Sequence, residues 1–263
     1  MEVGLQGRVA LITGGGRGIG RSVALTLAAQ GADIALCGRT LETLEATAED
    51  IRALGVRAFP IQADVAELGD IERFVKEAHA QAGRIDILVN NAVSSEYAPF
   101  NEQTDDHWRH HLDVKLMACI RTAREVTPYL KEQRWGRIVN IGGMTARIVA
   151  PLRITNGVVN AGVSNFTKQL ANQIAPFNIT VNCVHPGATQ TDRQTQGFER
   201  RAKDAGISIE EMIERATAEI PRGRLIQPQD IANAVLFYCS PLADAITGQS
   251  IAVDGGSATS VNY

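Results

Sequence analysis

Aromatic residues are scarce, 5% of 263 positions, and they leave one wide gap: no tyrosine lies between Tyr129 and Tyr238. No apolar run approaches the roughly 18 residues that a membrane helix needs, so the sequence offers no candidate span. The four cysteines, Cys37, Cys119, Cys183 and Cys239, form no Cys-x-x-Cys pair. Buried free thiols in a reducing cytosol are expected, rather than a disulfide framework or a zinc site. Neither sign of charge prevails: Lys and Arg number 26 against 29 Asp and Glu, which gives no electrostatic footprint for nucleic acid or an anionic membrane. No Pro/Gly/Ser-rich linker, repeat or low-complexity tract divides the chain. "RVALITGGGRGIG" near the N-terminus breaks at Gly14, too early for the apolar segment of a secretory leader. The expectation is one cytoplasmic domain over 1–263, long enough to bury roughly 70–75% of its unfolded surface.

Two periodicities alternate along that length. Short apolar runs at 8–13, 33–37, 56–65, 85–92, 136–143, 178–187 and 250–256 read as strands. Between them, Ile19, Val23 and Leu27 repeat at helical spacing, as do Leu41, Leu44, Ala48 and Ile51, then Ile71, Phe74, Val75 and Ala78. One or two helices are expected in 104–132, and Val159, Val163, Phe166 and Leu170 give the core stripe of another. Strands this uniformly apolar, separated by amphipathic helices, predict an α/β fold with a seven-stranded parallel sheet covered on both faces.

At the first strand–helix junction stands "TGGGRGIG", Thr13 to Gly20. Gly14, Gly16, Gly18 and Gly20, with Arg17 and Ile19 among them, let the backbone approach a pyrophosphate and aim a helix N-terminus at its charge. The second strand ends "LCGRT", with Gly38 where an NAD-preferring protein usually carries an acid for the ribose 2′-hydroxyl. Arg39 beside it, with Arg17, can instead make paired hydrogen bonds to a 2′-phosphate. NADP(H) is therefore the expected cofactor, ahead of NAD.

"TGGGRGIG", "ADV" at 63–65, "NNA" at 90–92, "IVNI" at 138–141, "PG" at 186–187 and "VDGG" at 253–256 resemble the short-chain dehydrogenase/reductase family in order and spacing, over nearly the whole chain. The resemblance implies a Rossmann-type fold, with Asp64 and Val65 beside the adenine and Asn91 and Ala92 along the cofactor. It also implies Pro186 and Gly187 lining the cofactor and Thr191 near the nicotinamide. Val93, where the family commonly has glycine, would narrow the pocket mouth.

The family's chemistry uses an asparagine, a serine, a tyrosine and a lysine four residues after it. At the matching positions this sequence has Lys115, Gly143, Asn156 and Asn160. The amine and the amide have exchanged places. Lys115 has two expected directions, toward the ribose or outward to solvent. An asparagine at 156 donates hydrogen bonds but surrenders no proton at neutral pH, so tyrosine-type acid catalysis is excluded there. Tyr97, in a loop bordering the pocket in this family, is an alternative acid if Lys115 lowers its pKa. Ser94, Ser95, Met144 and Thr155 are expected to line the pocket. Arg147 and Arg153 suggest a carboxylate or phosphate on the ligand. His107 and His111 have metal-ligand spacing but no third ligand on their face, so no metal site is expected; His185 receives no role.

Residues 192–226 are the expected lid over the substrate, with a helix opening at the capping box Ser208–Glu211 in "SIEEM". Three functional readings stand at this point. The first is an NADP(H)-dependent oxidoreductase acting on a carbonyl or hydroxyl of a small molecule through a rebuilt active site. The others are a lyase, isomerase or dehydratase on the same scaffold, and a catalytically inactive nucleotide-binding subunit partnered with a complete family member. The resemblance also implies a homo-oligomer, dimer or tetramer, through helices near 105–130 and 156–175 and the C-terminal strand.

Overall fold

The computed structural model describes residues 3–94 and 97–259; Ser95, expected in the pocket, falls outside them. The elements in chain order are β1 (Val9–Thr13), α1 (Gly18–Ala28), β2 (Asp33–Gly38), α2 (Leu41–Ala53), β3 (Ala58–Gln62), α3 (Leu68–Ala82) and β4 (Ile87–Asn90). They continue with α4 (Asp105–His111), α5 (Ala118–Gln133), β5 (Gly136–Ile141), α6 (Ile154–Ile174), β6 (Ile179–Pro186), α7 (Asp192–Ala205), α8 (Ile209–Ala218), α9 (Pro228–Cys239) and β7 (Ser250–Val253). A π-helical turn, Leu112–Met117, joins α4 to α5.

All seven strands pair in parallel in the order β3-β2-β1-β4-β5-β6-β7. Parallel strands buried on both sides alternate between two apolar layers rather than between core and water. In β1, Ala10 and Ile12 pack with Ile34, Leu36, Val89 and Val184 beneath α1 and α9. Val9 and Leu11 join Ala35, Leu88, Ile138 and Val181 under α3 and α5. Each fully buried Val, Leu or Ile contributes about 1.5–3 kcal/mol from removal of its apolar surface from water. From β3 onward the strands stop short of their expected carboxyl ends, because the last residues leave the ladder to build loops.

The sequence reading names no helix at 228–239, yet α9 packs extensively on α1. Its signature is present in "QPQD": Pro228 opens the first turn, and Asp230 accepts from the Gln227 backbone N–H at 2.8 Å. Ile231, Ala232, Val235 and Cys239 then bury one stripe. In the α6 stripe Val159 and Val163 are fully buried, whereas Phe166 and Leu170 are only partly so. At α8, half of the expected capping box forms. Ser208 Oγ accepts from the Glu211 N–H at 3.1 Å, and the Glu211 carboxylate turns to Arg215 instead.

Residues of the 192–226 segment make a small core of their own, Phe198, Ile220 and Leu225 with Met212 and Ile213 packed on it. All four cysteines are buried and free, and burial pushes the Cys37, Cys119 and Cys239 thiols up to about 12. Among the described residues no helix is long and apolar enough to cross a membrane.

Candidate active site

The sheet order reverses direction between β1 and β4, and in such sheets ligands bind in the crevice outside the strands' carboxyl ends at that switch point. On its β1 side the crevice is a glycine cradle. Gly14 and Gly18 have φ of +66° and +55°, conformations in which a side chain would be strained. A Cβ on Gly20 would lie 2.1 Å from the Gly14 carbonyl oxygen, and one on Gly16 would lie 2.7 Å from Thr43 Oγ1. Helix α1 begins at Gly18 with no acidic residue in its first turn and no side-chain cap. Its N-terminal N–H groups and dipole are thus presented to an anion. Arg17 and Arg39 are exposed and neither pairs with a carboxylate among the described residues. The residues present fit a dinucleotide phosphate.

Other expected cofactor positions surround this cradle. The Asn91 amide donates to Thr13 O and Gly14 O at 3.0 and 3.1 Å, and the Asn91 and Ala92 N–H groups both reach Thr13 Oγ1 at 3.0 Å. Asn91 therefore braces the glycine loop from β4. Asp64 Oδ1 accepts from the Ala66 N–H at 3.0 Å, holding Val65, which is buried, at the end of β3. Gly187 lies against Asp254, where a Cβ would be 2.7 Å from the aspartate Cα, so "PG" and "VDGG" meet. Thr191 caps α7, its Oγ1 accepting from the Gln194 N–H at 3.3 Å, and its methyl is 3.3 Å from where a Cβ on Gly18 would stand. Val93 is exposed beyond the strand end.

On the β5 side, Gly143 meets Asn160, Lys115 reaches the adjoining Gly142, and Asn156 stands one turn before Asn160 on α6. A Cβ at Gly143 would approach Asn160 Nδ2 to 2.6 Å, and that amide donates to Thr145 Oγ1 at 2.8 Å. Asn156 is 8% exposed and Asn160 4%. The alternative of a solvent-directed Lys115 is overturned: the side chain is 5% exposed, and Nζ donates to the Gly142 carbonyl at 2.9 Å. Burial lowers its pKa from 10.5 to about 8, with Arg193 adding to the effect. The π turn that carries Lys115 is the kind of helical distortion often found at functional sites. Beneath it, Asn90 donates to Asn140 Oδ1 at 2.9 Å and Asn140 to Thr167 Oγ1 at 2.9 Å, so buried hydrogen bonds cross-link β4, β5 and α6.

Tyr97 is not brought to Lys115. It is 41% exposed, and the Arg153 guanidinium lies over its ring at 5.7 Å. No hydrogen bond joins its phenol to Lys115 among the described residues. Ser94 is half-buried, Met144 and Thr155 are buried, and Arg147 donates to Ser250 O at 2.5 Å. His107 closes the N-terminal cap of α4 with Thr104, apart from the wholly buried His111. Among the described residues no group of three His, Cys, Asp or Glu could hold a metal.

Two residues matter more than the sequence suggests. His185 is wholly buried; its Nδ1 accepts from the Gly143 N–H at 3.0 Å while Nε2 faces Ser164 Oγ at 3.1 Å. Burial holds its pKa down to about 4, so it is a neutral prop under the loop whose Gly142 carbonyl receives Lys115. His111, one helical turn before Lys115, is also wholly buried, with its pKa lowered to about 4 by burial and by Lys115. Among the described residues neither of its ring nitrogens has a well-formed hydrogen bond, although the Ser94 backbone lies near. Among the described residues the side chains of Thr155, Asn156 and Asn160 each have a buried oxygen without a partner as well. Unpaired buried polar atoms each cost about 1–3 kcal/mol, and Thr155, Asn156 and Asn160 carry theirs on the first turns of α6. A histidine inside an apolar helical pattern is the one signal in the sequence that points to His111. The clefts along α7 and α8 involve residues such as Gln194, Phe198, Ile213 and Thr217, and none of the Gly143 cluster.

Residues 14–258 match the family described as enoyl-(acyl carrier protein) reductase. The chain belongs to the short-chain dehydrogenase/reductase family. Among its relatives, a 3-oxoacyl-acyl-carrier-protein reductase of Aquifex aeolicus is 35% identical over 97% of this chain and 99% of its own length. The L-sorbose reductase of Gluconobacter frateurii, solved with NADPH and L-sorbose, superposes with a TM-score of 0.95 at 30% identity, covering 99% of this chain and 100% of that one. A xylitol dehydrogenase bound to NAD+ does so with a TM-score of 0.91 at 27% identity, covering 96% and 100%. The expected Rossmann-type architecture is shown, and the chain is an oxidoreductase-family protein.

Proposed function

We propose that this protein is an NADP(H)-dependent oxidoreductase acting on a carbonyl or hydroxyl of a small molecule, with Lys115 in place of the family's tyrosine as the proton donor. The observation that carries the reading is the buried Lys115 amine, bonded to Gly142 O at the carboxyl end of β5, with no carboxylate paired to it among the described residues. Bound in the glycine cradle, the nicotinamide would supply the hydride. At pH 7 Lys115 holds its proton in about nine molecules of ten when its pKa is near 8. It is acidic enough to release that proton to a developing alkoxide, since a donor poised near the operating pH transfers best.

Asn156 and Asn160 supply amide groups that orient an oxygen without exchanging protons. Asn160 stands where the family's lysine meets the nicotinamide ribose, and its unpaired Oδ1 is an acceptor for a ribose hydroxyl. His185, through Gly143, and the asparagine network beneath the site fix these groups in place. Arg39 and Arg17 favour NADP(H) over NAD, the relative bound to NAD+ notwithstanding. Residues 192–226 close over the substrate, and the family's helical faces support a homo-oligomer. The buried Lys115 amine held against Gly142 O, rather than the nucleotide cradle, favours this reading over an inactive partner subunit or a non-redox enzyme.

The test is Lys115→Met assayed with NADPH against a panel of ketones and aldehydes. Turnover is expected to vanish while NADPH affinity stays within severalfold. Full activity in the variant would refute the assignment.

A further inference from the structure

Most arginines of this chain are paired with carboxylates, including Arg8, Arg57, Arg84 and Arg137. Those around the crevice are not. Arg153, at the head of α6, lies over the Tyr97 ring, and Arg201, on α7, lies 4.8 Å over the ring of Phe198. Among the described residues neither guanidinium donates a hydrogen bond or forms an ion pair. Burial and the neighbouring Arg201 bear unfavourably on the charge of Arg153, with only the Tyr97 phenol to offset them, and burial, Arg153 and Arg17 bear likewise on Arg193. Two partly buried guanidinium groups, each lying over an aromatic ring, are held in each other's field, and among the described residues no carboxylate pairs with either.

Helix α6 strengthens the same spot. It runs 21 residues from Ile154 with no side-chain cap and no acid in its first turn, so its positive dipole end is uncompensated. Within that first turn the Thr155 hydroxyl is fully buried and without a partner. The Ala98 N–H donates to Leu152 O at 3.1 Å and ties the Tyr97 loop to the head of the helix. A fork of five donors on a flat cation matches the paired oxygens of a carboxylate or phosphate.

We propose that the substrate carries an anionic group, a carboxylate or phosphate, clamped by Arg153 and Arg201 at the head of α6 with the Thr155 hydroxyl beneath it. The inference rests on the reading of this crevice as the substrate site of a reductase. Arg193 stands between the clamp and Arg17, bridging the substrate's charge and the dinucleotide's. The chain thereby selects small oxo acids or oxo phosphates over their neutral analogues.

The experiment is calorimetric titration of the NADP+-saturated protein with 4-oxopentanoate and its methyl ester, and with acetonyl phosphonate and its dimethyl ester. At least one anion is expected to bind about tenfold or more tightly than its ester, the worth of one charged hydrogen-bonded contact. The two pairs separate a carboxylate site from a phosphate site. Arg153→Ala and Arg201→Ala should each remove that preference, and Arg153→Lys should restore part of it, with NADPH affinity unchanged in all three. Equal binding of anions and esters, no anion binding at all, or arginine variants that keep the preference would overturn the proposal. Failure of the reductase reading is seen separately, as the absence of turnover from a protein that still binds the anion through these arginines.

Discussion

Replacing Lys115 by Met turns a buried amine into an apolar chain of similar length, and the effect on stability has a definite pH signature. The unfolded lysine titrates near 10.5 and the folded one near 8, so between those values the unfolded chain binds more protons. Stability of the wild type must therefore rise with pH across this window. Below pH 8 the native state carries the full cost of a buried ammonium; above 10.5 the amine is neutral in both states and that cost is gone. The difference between the two pKa values corresponds to about 3 kcal/mol. The thioether of the variant does not titrate and brings no such dependence. Loss of the bond to Gly142 O adds a roughly constant offset, which cancels when the two proteins are compared across pH. The assay is urea denaturation of wild type and Lys115→Met at intervals from pH 7 to 10.5. The wild type should gain about 3 kcal/mol relative to the variant over that range. Curves that stay parallel would show that Lys115 is solvated like an ordinary lysine, and the mechanism drawn from its burial would fall with them.

Three more expectations bear on the site. If Lys115 donates the proton in the reductive direction, kcat should decline above about pH 8, where the amine is neutral; a flat profile to pH 10 with chemistry rate-limiting would contradict this. Arg39→Ala should narrow the preference for NADPH over NADH by about tenfold or more, read by fluorescence titration, and equal affinities in the wild type would remove the basis for an NADP(H) preference. Gly143→Ser places its Cβ 2.6 Å from Asn160 Nδ2, and overpacking of this kind costs about 1–3 kcal/mol. Adding Asn160→Ala should recover most of that loss in a denaturation series, while a stable Gly143→Ser single variant would show that the two positions are not fitted to each other.

Much of this was open to reading before any coordinates. The strands declare themselves because a parallel sheet buried on both faces demands uninterrupted apolar runs, as in β1 and β5. The nucleotide cradle is equally plain, since Gly14, Gly18 and Gly20 serve backbone geometry that no other residue supplies. Helix α9 is harder to see because its stripe is short and follows the helical segment α7–α8 with no strand to frame it. The direction of Lys115 is not a local property: its partner is a carbonyl 27 residues away, and its flexible stem suits water or interior alike. The same holds for His185, whose neutral state and purpose depend on Ser164 and Gly143 arriving from separate elements. Tyr97 misleads because its position in the chain brings it to the right loop but its ring meets Arg153 there.

The seven parallel strands all deliver their chain ends to one rim, and Lys115, Gly143, Asn156 and Asn160 are mounted there, outside the ladders that register the sheet. Exchange of reactive groups at such a border disturbs neither apolar layer, because the strand interiors keep their alternation whatever the rim displays. A frame built this way separates the problem of standing up from the problem of reacting. New chemistry can be tried at its edge without renegotiating the architecture below.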